Sequence, residues 1–415
     1  MNEFGILKKN ENLIYPIPTQ RAVIDPLRYC NIKCKFCYNL HSNNNFIKSF
    51  NQVSKEIDDA KLRGNNYIDV TGGEPTFYPY IIDLIKYALS KNMKTCIITN
   101  GIISKSKIMK LIEAGIDEFL ISVHGLENTH DKLVQLKGAR NSQTELLNIL
   151  MENNISLRFN FVLTCLNQEE IYETTKWMAQ WKPKIINFIN INPHREWKIY
   201  LNEMKELVSD LDVVSEQLCK SIDYAENKNI GINIRYFPMC KINEKYRRCI
   251  CNDLHVLFDP YEWDYCIYPK TYLKFKLEAF RHSYSTELKS NPCNKCQLLL
   301  ICGGINKWLY KIINKKILQP IKDSNLTDIE KKDFYYYRKY NFLTLKPKVP
   351  YDFNVFKQNL NTRNGFKNKL LLLFYESKII QYIEDLYQLT INYNNEPTKS
   401  FYERFLKLLK KNILF

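Results

Sequence analysis

The sequence predicts an α/β fold: a partial parallel (β/α)6 barrel of the TIM type, then a small cysteine-rich domain and a helical C-terminal tail. Three observations carry this expectation. Six short apolar runs alternate with amphipathic stretches in the order of βα units. Motifs rich in glycine, cysteine or polar residues stand just after those runs, where a parallel barrel collects its functional loops. Seven of the 13 cysteines fall between positions 240 and 302, and no cysteine follows Cys302.

Taken in order, strands are expected near residues 22–25, 67–71, 95–99, 118–123, 157–163 and 184–191. Helices fill the gaps, as over 104–114, where Ser104 suits an N-cap and Gly115 a C-terminal stop. Residues 201–227 read as a further helix, followed by a strand-like alternation over 231–237. The expected division is an N-terminal extension (1–20), the barrel (21–235), the cysteine-rich domain (236–322) and a basic helical extension (323–415).

With 415 residues and 45% hydrophobic content, the chain has ample material for a core. No signal-peptide pattern and no uncharged apolar run of 18 residues occurs, so a soluble, cytoplasmic protein without a transmembrane segment is expected. An odd number of cysteines in such a chain points to metal binding rather than a disulfide framework. The net charge is +16, yet residues 331–415 hold 16 basic and 7 acidic side chains, a surplus of nine. The excess therefore gathers outside the barrel and reads as a solvated face, with no specific nucleic-acid partner expected. The final amphipathic stretch, with Phe401, Phe405, Leu408 and Leu409 on one face, suits docking to the domain or to a second subunit.

Cys30, Cys34 and Cys37 stand in the row Cys-Asn-Ile-Lys-Cys-Lys-Phe-Cys, directly after the first strand. Three thiolates leave one iron of a four-iron cluster without a protein ligand and open to a small molecule, while a zinc knuckle is the alternative use of such spacing. About 35 residues on, the second strand ends in Gly72-Gly73-Glu74-Pro75. Two glycines let backbone approach a ligand closely, and Glu74 offers a carboxylate to an ammonium group.

The CxxxCxxC row with Phe36 before its last cysteine, joined to this glycine-glycine-glutamate-proline segment, resembles the radical S-adenosylmethionine (SAM) enzymes. The resemblance implies a [4Fe-4S] cluster on Cys30, Cys34 and Cys37 whose open iron is chelated by SAM, and reductive cleavage of SAM to a 5'-deoxyadenosyl radical. It implies cofactor contacts from Phe36, Gly72, Gly73, Glu74 and Pro75, with Asn100 and Ser122 at the third and fourth strand ends. An electron donor such as flavodoxin or ferredoxin is implied with it. His124 reads as a hydrogen-bonded strand-end histidine. Cys165, just past the fifth strand, is either a hydrogen-atom donor at the barrel mouth or a small buried hydrophobe.

The row from Cys293 through Cys296 to Cys302-Gly303-Gly304 resembles the SPASM and twitch extensions that bind auxiliary clusters. Where the full SPASM row has a further cysteine, this chain has Asn306. At least one auxiliary [4Fe-4S] cluster is expected on Cys240, Cys293, Cys296 and Cys302, with Cys251 and Cys266 as alternative ligands and zinc as the alternative metal. Oxidative modification of a peptide or protein is the expected activity, ahead of the same chemistry on a carbohydrate or other small molecule and then on tRNA. Only about 20 residues precede the barrel, so peptide capture is expected to need a partner or a short recognition tag. A zinc- or cluster-binding interaction protein is the non-enzymatic alternative.

Overall fold

Seven parallel strands in sequential order frame the computed structural model, which describes residues 21–37, 46–62, 65–192, 205–250 and, within 287–322, residues 287–288, 291–296, 298, 302, 304–313 and 318–322. The strands are β1 (Arg21–Ile24), β2 (Tyr67–Val70), β3 (Lys94–Thr99), β4 (Glu118–Ser122), β5 (Ser156–Leu163), β6 (Ile185–Asn190) and β7 (Gly231–Arg235). Helices α1 (Phe50–Leu62), α2 (Ile81–Ser90), α3 (Lys105–Glu113), α4 (Glu127–Val134), α5 (Ala139–Glu152), α6 (Ile171–Ala179) and α7 (Leu211–Asn227) provide the crossovers. A two-stranded antiparallel unit, β8 (Glu287–Leu288) with β9 (Ile305–Asn306), precedes the short α8 (Lys307–Ile312). No helix among the described residues is long and apolar enough to cross a membrane.

The expected parallel barrel is present with one strand more than the six βα repeats. The alternation at 231–237 is the seventh rung of the same sheet, with Ile185 opposite Gly231. Ser104 caps α3 as expected, accepting from the Lys107 amide, and Gly115 follows its end in the left-handed region at φ +91°. The helix expected from 201 begins at Leu211, because the Asp210 carboxylate accepts from the amides of Asp212 and Val213 and starts the turn there. Residues 1–20 and 323–415, with the final amphipathic stretch, lie outside the described residues.

Alternation divides each strand between two environments. Ala22, Ile24, Ile68, Val70, Ile97, Phe119, Phe159, Phe161 and Phe188 face the helices and make the main core. On the lumen side the floor is ionic. The Arg21 guanidinium bonds Asp69 at 2.6 Å and Glu118 at 2.6 Å, and Arg158 Nε reaches the same Glu118 oxygen at 2.6 Å. All four groups are buried, and two cations against two anions leave the set neutral. Asp69, Cys96 and Glu118 come close enough together to hold a metal ion, but the arginines already occupy both carboxylates. Burial alone would raise both acids, and Arg21 and Arg158 overcome it, holding Asp69 and Glu118 below the usual carboxylate range.

Removing one member strands its partners in a dry site, a change that costs about 3–5 kcal/mol in such clusters. Glu118→Gln should therefore lower the urea midpoint sharply under anaerobic conditions. Because the folded carboxylates are depressed, their stabilisation is complete above the ordinary carboxylate pKa and is lost as pH falls through the lower folded value. Acid unfolding should show this loss in the parent and a blunted one in Glu118→Gln; parallel profiles would show that the floor does not hold the barrel.

Candidate active site

The two sequence motifs meet at the C-terminal ends of β1 and β2. Thr71 N donates to Ile24 O at 2.9 Å, Gly73 N to Leu27 O at 2.9 Å and Glu74 N to Tyr29 O at 2.7 Å, so the turn is laced to the segment leading into Cys30. That lacing is what needs glycine. A Cβ on Gly73 would lie 1.9 Å from Tyr29 O, and one on Gly72, at φ +122°, would lie 2.2 Å from Asp25 Oδ1. The close approach seen here is to the segment leading into the cysteine loop.

The Glu74 side chain also meets protein groups. Its side chain is buried. Oε1 accepts from Thr76 N (3.2 Å), Thr76 Oγ1 (2.8 Å) and Thr99 Oγ1 (2.8 Å), and Oε2 from Asn100 N (2.9 Å). Burial pushes the carboxyl upward and these four bonds oppose it. The carboxylate thus ties the turn, with Pro75 opening a short 3-10 helix, to the end of β3. Asn100 extends the tie: its Nδ2 donates to Asn31 Oδ1 at 2.8 Å and reaches Cys30 Sγ at 3.7 Å, while its Oδ1 accepts from Ile102 N. Its amide braces the cysteine loop.

The loop is held from the other side by α4, through Lys35 N to Leu133 O at 2.9 Å and a bond from Gln135 Nε2 to Lys33 O. Cys37 N closes a turn on Cys34 O. Cys30, Cys34 and Cys37 lie within electrostatic reach of one another. Burial, reinforced by these neighbours, lifts Cys30 to about 11 and Cys34 higher still. Buried thiols of this kind ionise when a metal supplies the positive charge, which fits an iron site and gives little reason for three free thiols.

Phe36 packs edge-on against His124, with centroids 4.6 Å apart. His124 is, as expected, a hydrogen-bonded strand-end histidine: Nδ1 accepts from Val162 N, its backbone N–H donates to His130 Nδ1, and burial lowers its imidazole to about 3. It is neutral at physiological pH. Ser122 ends β4, level across the lumen with Asn160, Asn187 and Asn233. Cys165 is half-buried, its Sγ donating to Glu206 O at 2.8 Å and burial raising its thiol.

Sequence reasoning missed Gln143, a fully buried residue of α5. Its Nε2 donates at 2.7 Å to the carbonyls of both Asn100 and Ser122, pinning the two strand ends together. Nothing in the sequence marks a helical glutamine whose partners lie 43 and 21 residues away.

The second cysteine region assembles Cys240, Cys293, Cys296 and Cys302 around one small pocket, lined otherwise by apolar side chains and backbone. Cys251 and Cys266 lie outside the described residues, and Cys249 is buried in the main core. Asn306, at the place of the missing cysteine, is buried in β9 and donates to Asn192 Oδ1 at 2.5 Å.

Glu74→Gln would turn an amide donor toward protein donors and should cost about 1–3 kcal/mol of stability. SAM affinity should fall with it, since the strand ends lose their common brace. Urea unfolding and equilibrium SAM binding on reconstituted protein check this; an unchanged urea midpoint would remove Glu74 from this role.

Comparison with known proteins agrees with the motifs. The radical SAM superfamily profile matches residues 24–178. The Fe-coproporphyrin III synthase of Methanosarcina barkeri is 27% identical over 217 residues, covering 51% of this chain and 52% of that protein. A GTP 3',8-cyclase of Clostridium perfringens is 27% identical over 176 residues, covering 41% and 54%. The chain thus spans about half the length of these curated relatives. Among solved structures, Streptococcus suis SuiB bound to the precursor peptide SuiA is 24% identical, covers 52% of this chain and 49% of that one, and has a TM-score of 0.44. The cysteine loop and the Gly72-Gly73-Glu74-Pro75 turn, joined at the strand ends of a parallel barrel, lie within residues 24–178, which form a radical SAM domain, the enzyme domain that uses S-adenosylmethionine and a [4Fe-4S] cluster.

Proposed function

We propose that this chain cleaves SAM reductively at a cluster held by Cys30, Cys34 and Cys37, and oxidises a peptide or protein substrate with the help of a second cluster held by Cys240, Cys293, Cys296 and Cys302. The convergence of those last four cysteines on one apolar pocket carries the proposal. When bound, SAM and the first cluster would supply the 5'-deoxyadenosyl radical that abstracts hydrogen, and the second cluster would supply a sink for one electron.

Four protein thiolates leave no open iron, so the second site suits electron transfer better than anchoring a substrate. In the barrel, Gln143 and Glu74 hold the strand ends that would contact SAM, and Phe36 packs beside neutral His124. An external one-electron donor, such as a flavodoxin or ferredoxin, would complete the system.

The lumen supports a peptide. Asn233 donates to Asn187 at 3.0 Å and Asn187 to Asn160 at 2.9 Å, an uncharged row of amides level with Ser122. Such a row matches the amides of a peptide better than phosphate or carboxylate groups. The relatives named for GTP and coproporphyrin chemistry favour a small molecule as the second reading.

Reconstituted protein should carry about eight iron and eight sulfide, two cubanes, and changing Cys30, Cys34 and Cys37 together to Ala should roughly halve both. Retention of zinc by the C-terminal cysteines after iron loading would sink the second cluster. Capped peptides should stimulate 5'-deoxyadenosine formation under reducing conditions, and GTP and coproporphyrin should not. The opposite pattern would establish the small-molecule reading.

A further inference from the structure

The stretch Leu318-Gln319-Pro320-Ile321 lies beyond the last cysteine and carries no ligand of its own, yet Leu318, Gln319 and Ile321 line the four-cysteine pocket. Leu318 and Ile321 are buried in the main core. Ile321 N donates to Cys296 Sγ at 3.3 Å, and the Gln319 amide bonds Cys240. Pro320, between them, has no N–H to give. In an extended chain, residues two apart present their amides to the same side, so 319 and 321 can both address the pocket while the proline occupies the position facing away. Gly304 N, in the left-handed region at φ +84°, adds a third bond to Cys302 Sγ at 3.3 Å. Cys240, Cys296 and Cys302 thus each receive a backbone N–H, two of the three from residues outside the cysteine motif.

We propose that residues 318–321 form a closing strap whose amides, with that of Gly304, hydrogen-bond the thiolates of the second cluster and make it easier to reduce. This rests on the four cysteines holding a [4Fe-4S] cluster. A reduced cluster carries one more negative charge than the oxidised one. N–H groups aimed at its thiolates stabilise that added charge, and hydrogen bonds to sulfur are an established lever on cluster potential. The strap also excludes water with apolar side chains, so the potential depends on these few fixed dipoles. Gln319, Ile321 and Gly304 are positioning residues for electron uptake, and substrate oxidation would proceed only as readily as they allow.

The test uses the full chain with Cys30, Cys34 and Cys37 changed to Ala, so that the second cluster alone is observed. After reduction and exchange into deuterated water, pulsed electron paramagnetic resonance should show exchangeable deuterons coupled to the cluster. This measurement needs no change in the strap. Ile321→Pro removes one donor and should shift the midpoint potential negative, by about 59 mV for a tenfold change in a one-electron equilibrium. Ile321→Val keeps the N–H and should stay at the parent potential. Absence of coupled deuterons, or equal potentials in Ile321→Pro and Ile321→Val, would overturn the strap while leaving the cluster in place. A protein that binds no iron in this background would overturn the cluster assignment and the strap together, so the two failures are told apart by iron content.

Discussion

The barrel mouth depends on one buried carboxylate. A charge removed from water is costly unless donors surround it, and Glu74 is surrounded by two from Thr76, one from Thr99 and one from the Asn100 backbone. These donors come from two places in the chain, the turn after β2 and the end of β3, so satisfying the charge fixes their relative position. The same turn is bonded by its own amides to Leu27 and Tyr29, which lead into the cysteines. Cysteine loop, glycine turn and strand end are therefore fixed against one another.

The opposite end of the barrel solves a different problem. Parallel strands that close a lumen bring inward-facing polar side chains into a dry space, and Arg21, Asp69, Glu118 and Arg158 answer this by neutralising one another. Between floor and mouth lies the uncharged row of Asn160, Asn187 and Asn233. Polarity thus changes along the barrel axis, from paired ions through neutral amides to thiols.

The second cysteine site is attached to the barrel at its last strand. Cys240 sits in a short 3-10 turn five residues after β7, and Lys241 next to it pairs with Asp212 of α7. Asn306 of β9 reaches back to Asn192 beyond β6. Where the SPASM row that the sequence resembles has a further cysteine, this asparagine is a tether.

Strand alternation, the cysteine row and the turn sequence were legible because they are local: hydrophobic period, spacing and glycine pairs are written in neighbouring residues. Even the Ser104 cap and the Gly115 stop could be read in this way. What Glu74 does could not, since its donors at 99 and 100 are 25 or more residues away and a carboxylate beside glycines looks the same whether it meets a ligand or a threonine. Gln143 and the strap at 318–321 were invisible for the same reason, their importance residing in a partner's carbonyl or sulfur. The seventh strand was seen as an alternation, but only its register against β6 decided that it belonged to the barrel. The sequence by itself determined which chemistry-bearing residues exist and on which strand ends they fall. Tertiary structure decided which of them face one another, because buried polar groups take whatever partner the fold brings within hydrogen-bond reach.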